Sequence, residues 1–226
     1  MVLGHPGDRW QLYTCCSNIF GVTAFVLSTI SYFRCNLIRF PSTIGSPPIH
    51  RHFGLWWHAK QTQIVLDFSG ELEFLIEDQC MPYPAAADID ATWIAARAFA
   101  TLTLVGGLLW LSFEFFRSCA HGTIEPVPMW MGYILLLTCF FSGLTLIAFG
   151  SNICKNNEMI STDADPIEGY EFSDQCEIAV GGILVIVATV CWFVTSLCSL
   201  AATRSKSKYE ESARSDTMEP LIWEGP

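Results

Sequence analysis

Four long apolar runs, at about residues 12–33, 92–116, 129–150 and 178–202, constrain this chain more than any other feature. Each exceeds 18 residues and is almost free of charge. At about 1.5 Å per helical residue, such a run crosses a hydrocarbon layer of ~30 Å. The runs predict a multi-pass integral membrane protein. Composition agrees: 15% of the residues are charged, against about 25% in an ordinary soluble domain. The 226 residues fit one membrane domain and leave no length for a separate soluble catalytic domain.

The runs divide the chain into nine segments: a polar lead at 1–11, a first span at 12–33 and a large loop at 34–91. A second span follows at 92–116, a short turn at 117–128 and a third span at 129–150. A smaller loop at 151–177, a fourth span at 178–202 and a polar tail at 203–226 complete it. The tail shows no periodicity and is expected to be disordered. The first run is too long for the apolar core of a cleaved signal peptide and has no small-residue cleavage site after it, so it reads as a retained span. Neither loop carries an N-x-S/T sequon.

Four spans place both termini on one side. Arg9, Arg117, Arg204, Lys206, Lys208 and Arg214 lie there, and Arg34, Arg39, Arg51, Lys60 and Lys155 lie on the other. The excess is small, but the basic cluster 204–208 directly after the fourth span puts the termini in the cytosol. Both loops are then extracellular, in a protein expected at the plasma membrane. They are acidic, with seven of the 22 acidic residues between Asp67 and Asp90 and seven between Glu158 and Glu177. Such a surface repels nucleic acid and attracts cations or a basic protein face.

The two loops hold two cysteines each, Cys35 and Cys80 in the first, Cys154 and Cys176 in the second. On an oxidising side that is the number needed for one bridge per loop. Within-loop pairing is the simplest of the three connectivities. Cys139 and Cys191 fall inside spans, where thiols act as packing groups. Cys15, Cys16, Cys119 and Cys198 lie near the cytosolic span ends, positions open to reversible acylation.

Loop one reads as β-structure. His52–Phe68 and Glu71–Ile76 show partial alternation, punctuated by proline and glycine. An antiparallel sheet of three to five strands is expected to stand on an all-α four-helix bundle. Glycine pairs and Ala96 with Ala100 inside the spans allow close helix approach.

Within this frame, loop one contains Gly54-Leu55-Trp56, later Cys80, and span two opens Ala95-Ala96-Arg97-Ala98. This order resembles the claudin and peripheral-myelin-protein superfamily of four-span proteins over about residues 10–202. There a Gly-Leu-Trp motif and a disulfide mark the first loop, and an arginine follows at the top of span two. The resemblance implies a claudin-like fold and a structural or adhesion role. It also implies structural importance for Gly54, Leu55, Trp56 and Arg97. Three departures mark a divergent chain. The family's first loop cysteine should follow Gly-Leu-Trp closely, but this stretch is Trp57-His58-Ala59-Lys60, so Cys35 must replace it. The second loop has its own pair, which claudins proper generally lack. The end Trp223-Glu224-Gly225-Pro226 is not the hydrophobic valine terminus that a PDZ domain captures.

Several side chains have competing assignments. Trp56 and Trp57 either anchor loop one at the lipid interface or pack in its core. Arg97, inside span two, needs a partner: Asp88, Asp90 or backbone carbonyls of loop one. Glu114 and Arg117, three apart, read as an ion pair. His50, His52 and His58 with Asp67 or a glutamate have the makings of a metal site, but read better as a surface cluster. No catalytic residue, cofactor site or metal ligand is expected. The expected partners are the bilayer, other membrane proteins in cis or trans, a second copy among them, and cations at the acidic loops. The alternative function is an auxiliary subunit of an ion channel or transporter. A small transporter fits less well, because intramembrane charge is scarce.

Overall fold

The computed structural model describes residues 6–44, 50–67, 72–84, 89–121, 128–155, 171–173 and 175–217. Asp88, the acidic stretch 156–170, Asp174 and the chain end 218–226 lie outside them. Four membrane-length apolar helices carry the fold: α1 (Pro6–Phe33), α2 (Ala91–His121), α3 (Met129–Leu144) and α5 (Val180–Thr217). α3 continues as a 3-10 segment, Thr145–Gly150, before a single turn, α4 (Asn152–Lys155). α1 packs most extensively on α5, α5 also on α3, and α3 on α2, so the bundle order is α1–α5–α3–α2.

Small and hydroxylic residues bring these helices together. Ser17 and Ser199 share a hydrogen bond of 2.7 Å, and the Ser196 hydroxyl donates to the Gly132 carbonyl at 3.0 Å. The Trp192 indole donates to Ser28 Oγ at 3.2 Å. Interhelical hydrogen bonds and close packing are the cohesive forces available where lipid is as apolar as the core. Trp110 and Trp192 meet edge to face, 6.2 Å between centroids, in the middle of the bundle.

The helices overrun three sequence boundaries, with α2 reaching His121 where its span was expected to end at 116. α1 begins at Pro6, inside the polar lead. α5 runs to Thr217, through 15 positions expected to be disordered (217 − 202). Alanine, lysine, arginine and glutamate favour helix there, and Lys206 pairs with Glu210 one turn on at 3.6 Å. A segment nucleated by a buried helix continues without the cost of starting anew.

Six strands form one antiparallel sheet on the bundle end opposite the termini. Four come from loop one: β1 (Ile38–Ile44), β2 (His50–Phe53), β3 (Trp57–Asp67) and β4 (Leu72–Pro82). β3 and β4 pair over their whole length, Trp57 opposite Pro82 through Asp67 opposite Leu72. The remaining two, β5 (Glu171–Phe172) and β6 (Glu177–Ile178), come from loop two and pair with β1. Loop one supplies the expected antiparallel sheet, and loop two extends it with two short strands. An edge strand presents unpaired backbone groups, and loop two covers that edge of β1.

Candidate functional site: the junction of loops and bundle

Gly54-Leu55-Trp56 does not lie within a strand, as the alternation from His52 to Phe68 implies. It forms the sharp turn between β2 and β3, closed by the Gly54 amide donating to the Trp57 carbonyl at 2.7 Å. The reason is a close backbone approach. A Cβ on Gly54 would stand 2.1 Å from the Arg34 carbonyl oxygen and 2.6 Å from the Cys35 Cα. Only glycine lets the turn press on the segment that leaves α1.

That contact drives Leu55 into the bundle, where it is fully buried among Tyr32, Leu37, Phe53, Trp93 and Ala96. Its carbonyl accepts two hydrogen bonds from α2. The Trp93 indole donates at 3.1 Å and the Arg97 Nε–H at 2.8 Å. Trp93 and Arg97 are four residues apart and so share one helix face. Of the candidate partners for Arg97 among the described residues, the backbone carbonyl is the one brought to it. The guanidinium also lies over two rings, Trp56 and Tyr83, each 5.2 Å from its central carbon to the ring centroid. Trp56 therefore serves the junction, packed against the core beneath the sheet.

Asp90 has a different task. One carboxylate oxygen accepts the Trp93 amide at 3.3 Å, capping α2, and the other accepts the Asn152 amide of α4 at 3.2 Å. A single aspartate at a helix start thus ties span two to loop two.

Two disulfides complete the junction. Cys35–Cys80 joins the exit of α1 to the end of β4, and Cys154–Cys176 joins α4 to the residue before β6. Ala59 stands opposite Cys80 in the β3–β4 register. With alanine there, Cys80 bonds to Cys35 and fastens the hairpin to the helix.

Tyr83 was not legible as a site residue. It lies three positions beyond Cys80, and its hydroxyl donates to the Gly54 carbonyl at 2.7 Å. Burial raises the pKa of this phenol above its ordinary value, while the nearby Arg97 charge pulls the other way and loses. An unfolded tyrosine ionises near pH ~10. The folded phenol holds its proton longer, so this contribution is intact below pH ~10 and declines as pH rises further. Tyr83→Phe is expected to cost about 1 kcal/mol at neutral pH and to flatten the alkaline loss of stability. Thermal unfolding in detergent between pH 8 and 11 measures both.

The three histidines of loop one fall in two places. His58 is buried and stacks between Phe53 and Tyr83, at 6.4 and 5.5 Å. His50 and His52 are neighbours on β2, 6.3 Å between ring centroids. Among the described residues, no three His, Cys, Asp or Glu side chains are grouped to hold a metal ion. At the opposite end of the bundle, Glu114 and Arg117 form their ion pair with side chains 14% and 12% exposed.

Four apolar helices, a small antiparallel sheet and two disulfides fit a claudin-like four-span shape. No family model matches the chain, and no curated protein sequence matches it.

Proposed function

We propose that this chain is a divergent claudin-like protein of the plasma membrane, with cytosolic termini. It works by contact rather than catalysis: its joined loops bind membrane proteins of the same or an opposing cell, a second copy included. One observation carries this reading. The Leu55 carbonyl held by Trp93 and Arg97, together with the two disulfides, ties the described parts of both loops to the bundle end. A preordered surface loses little conformational freedom when it meets a partner. The acidic character of both loops suits a basic protein face, or cations held between apposed membranes.

The test mixes two cell populations expressing the chain with different fluorescent tags. Enrichment of both colours at contacts between unlike cells is the expected result, reduced by Arg97→Ala. Uniform distribution, with one larger polytopic protein copurifying in mild detergent, would instead assign the chain as an auxiliary subunit.

A further inference from the structure

We propose that the termini end of the bundle contains a hydrated site inside the membrane, where water bridges Asn18, Trp110, Glu114 and Arg117. Four buried side-chain atoms there have no hydrogen-bond partner among the described residues: Asn18 Oδ1, Trp110 Nε1, Glu114 Oε1 and Arg117 Nη1. Trp110, Glu114 and Arg117 stand at i, i+4 and i+7 on α2, which is one helix face. The packing of α1 sets the level of Asn18. A Cβ on Gly21 would meet the Trp110 ring at 2.3 Å, and Phe25 lies against Gly107. The helices are antiparallel, so Asn18, three residues before Gly21, stands one turn nearer the termini, level with Glu114.

The chemistry of these atoms selects the ligand. Two accept hydrogen bonds and two donate them, and water does both. Net charge is not required of the ligand, since Glu114 and Arg117 already neutralise one another. An apolar filler would satisfy none of the four atoms, and lipid offers no other partner. Trp110 to Arg117 spans about 10 Å along the helix axis, enough for more than one water.

The site has an entrance and an end. Glu114 and Arg117 keep a small exposed fraction, and Arg117 is the last residue of its span, so water enters from the termini side. Inward, the Trp110–Trp192 pair fills the core, and the Trp192 N–H is already taken by Ser28. The site is therefore a blind recess and not a pore.

Trp192 supplies an internal control. The chain, labelled with ¹⁵N-tryptophan in bilayers, is read by NMR at its indole N–H groups, with Trp110→Phe and Trp192→Phe assigning the signals. The expected result is a cross-peak from Trp110 to water and deuterium exchange about tenfold faster than at Trp192. Replacing the entrance pair by leucine, Glu114→Leu with Arg117→Leu, is expected to slow Trp110 exchange about tenfold. Protection of Trp110 equal to that of Trp192 overturns the proposal. So do cross-peaks to lipid in place of water, or exchange unchanged by the leucine pair.

Discussion

Arg97→Ala is expected to lower stability by about 2–4 kcal/mol. A hydrogen bond from a charged donor contributes roughly 1.5–3 kcal/mol, and contact with aromatic faces adds about 0.5–2 kcal/mol. Removing the charge also removes its desolvation cost, and the Leu55 carbonyl keeps its bond from Trp93, so the low end of the summed range is the relevant one. In a chain of this length the thermal midpoint in detergent should fall by roughly 5–15 °C. Arg97→Lys keeps the charge but loses the planar group that lies over two rings while its Nε–H donates. It should show about half the loss. A midpoint within a degree of the parent for Arg97→Ala would mean that the junction holds without this side chain. A cycle with Trp56→Leu isolates the ring contact, with an expected coupling of about 1 kcal/mol.

The second large effect concerns the disulfides. Cys35 and Cys80 are 45 residues apart, Cys154 and Cys176 only 22. Closing the longer loop removes more freedom from the unfolded chain, about 4 kcal/mol against roughly 3 kcal/mol. The double change Cys35→Ser with Cys80→Ser is therefore expected to be the more destabilising. Unfolding of each double variant, and of the parent with and without reductant, measures the order. The reverse order would show that the contacts of β5 and β6, not the length of chain closed, govern the second bridge.

The four spans were legible because lipid tolerates so little charge that length and composition alone mark them. The junction was legible only in part. Gly54, Leu55, Trp56 and Arg97 were singled out through a resemblance, but the acceptor joining them is a backbone carbonyl, which carries no side-chain signature. Trp93 had a signal that went unread: an indole four residues before a half-buried arginine, on the same face. β5 and β6 could not be found, since two residues are too few to alternate. The helical course of α5 beyond residue 202 was missed because a polar segment without an apolar stripe resembles a tail, whatever its helix propensity.

The pairing of β1 with β5 and β6 has a consequence for biosynthesis. Loop one is synthesised well before residues 171–178, and its sheet stays open along β1 until they arrive. During that interval the nascent chain exposes an edge on which a neighbouring polypeptide can polymerise. Until residues 171–178 pair with it, that edge needs another cover. A chain truncated after the third helix lacks both strands and is expected to associate through the open side of β1.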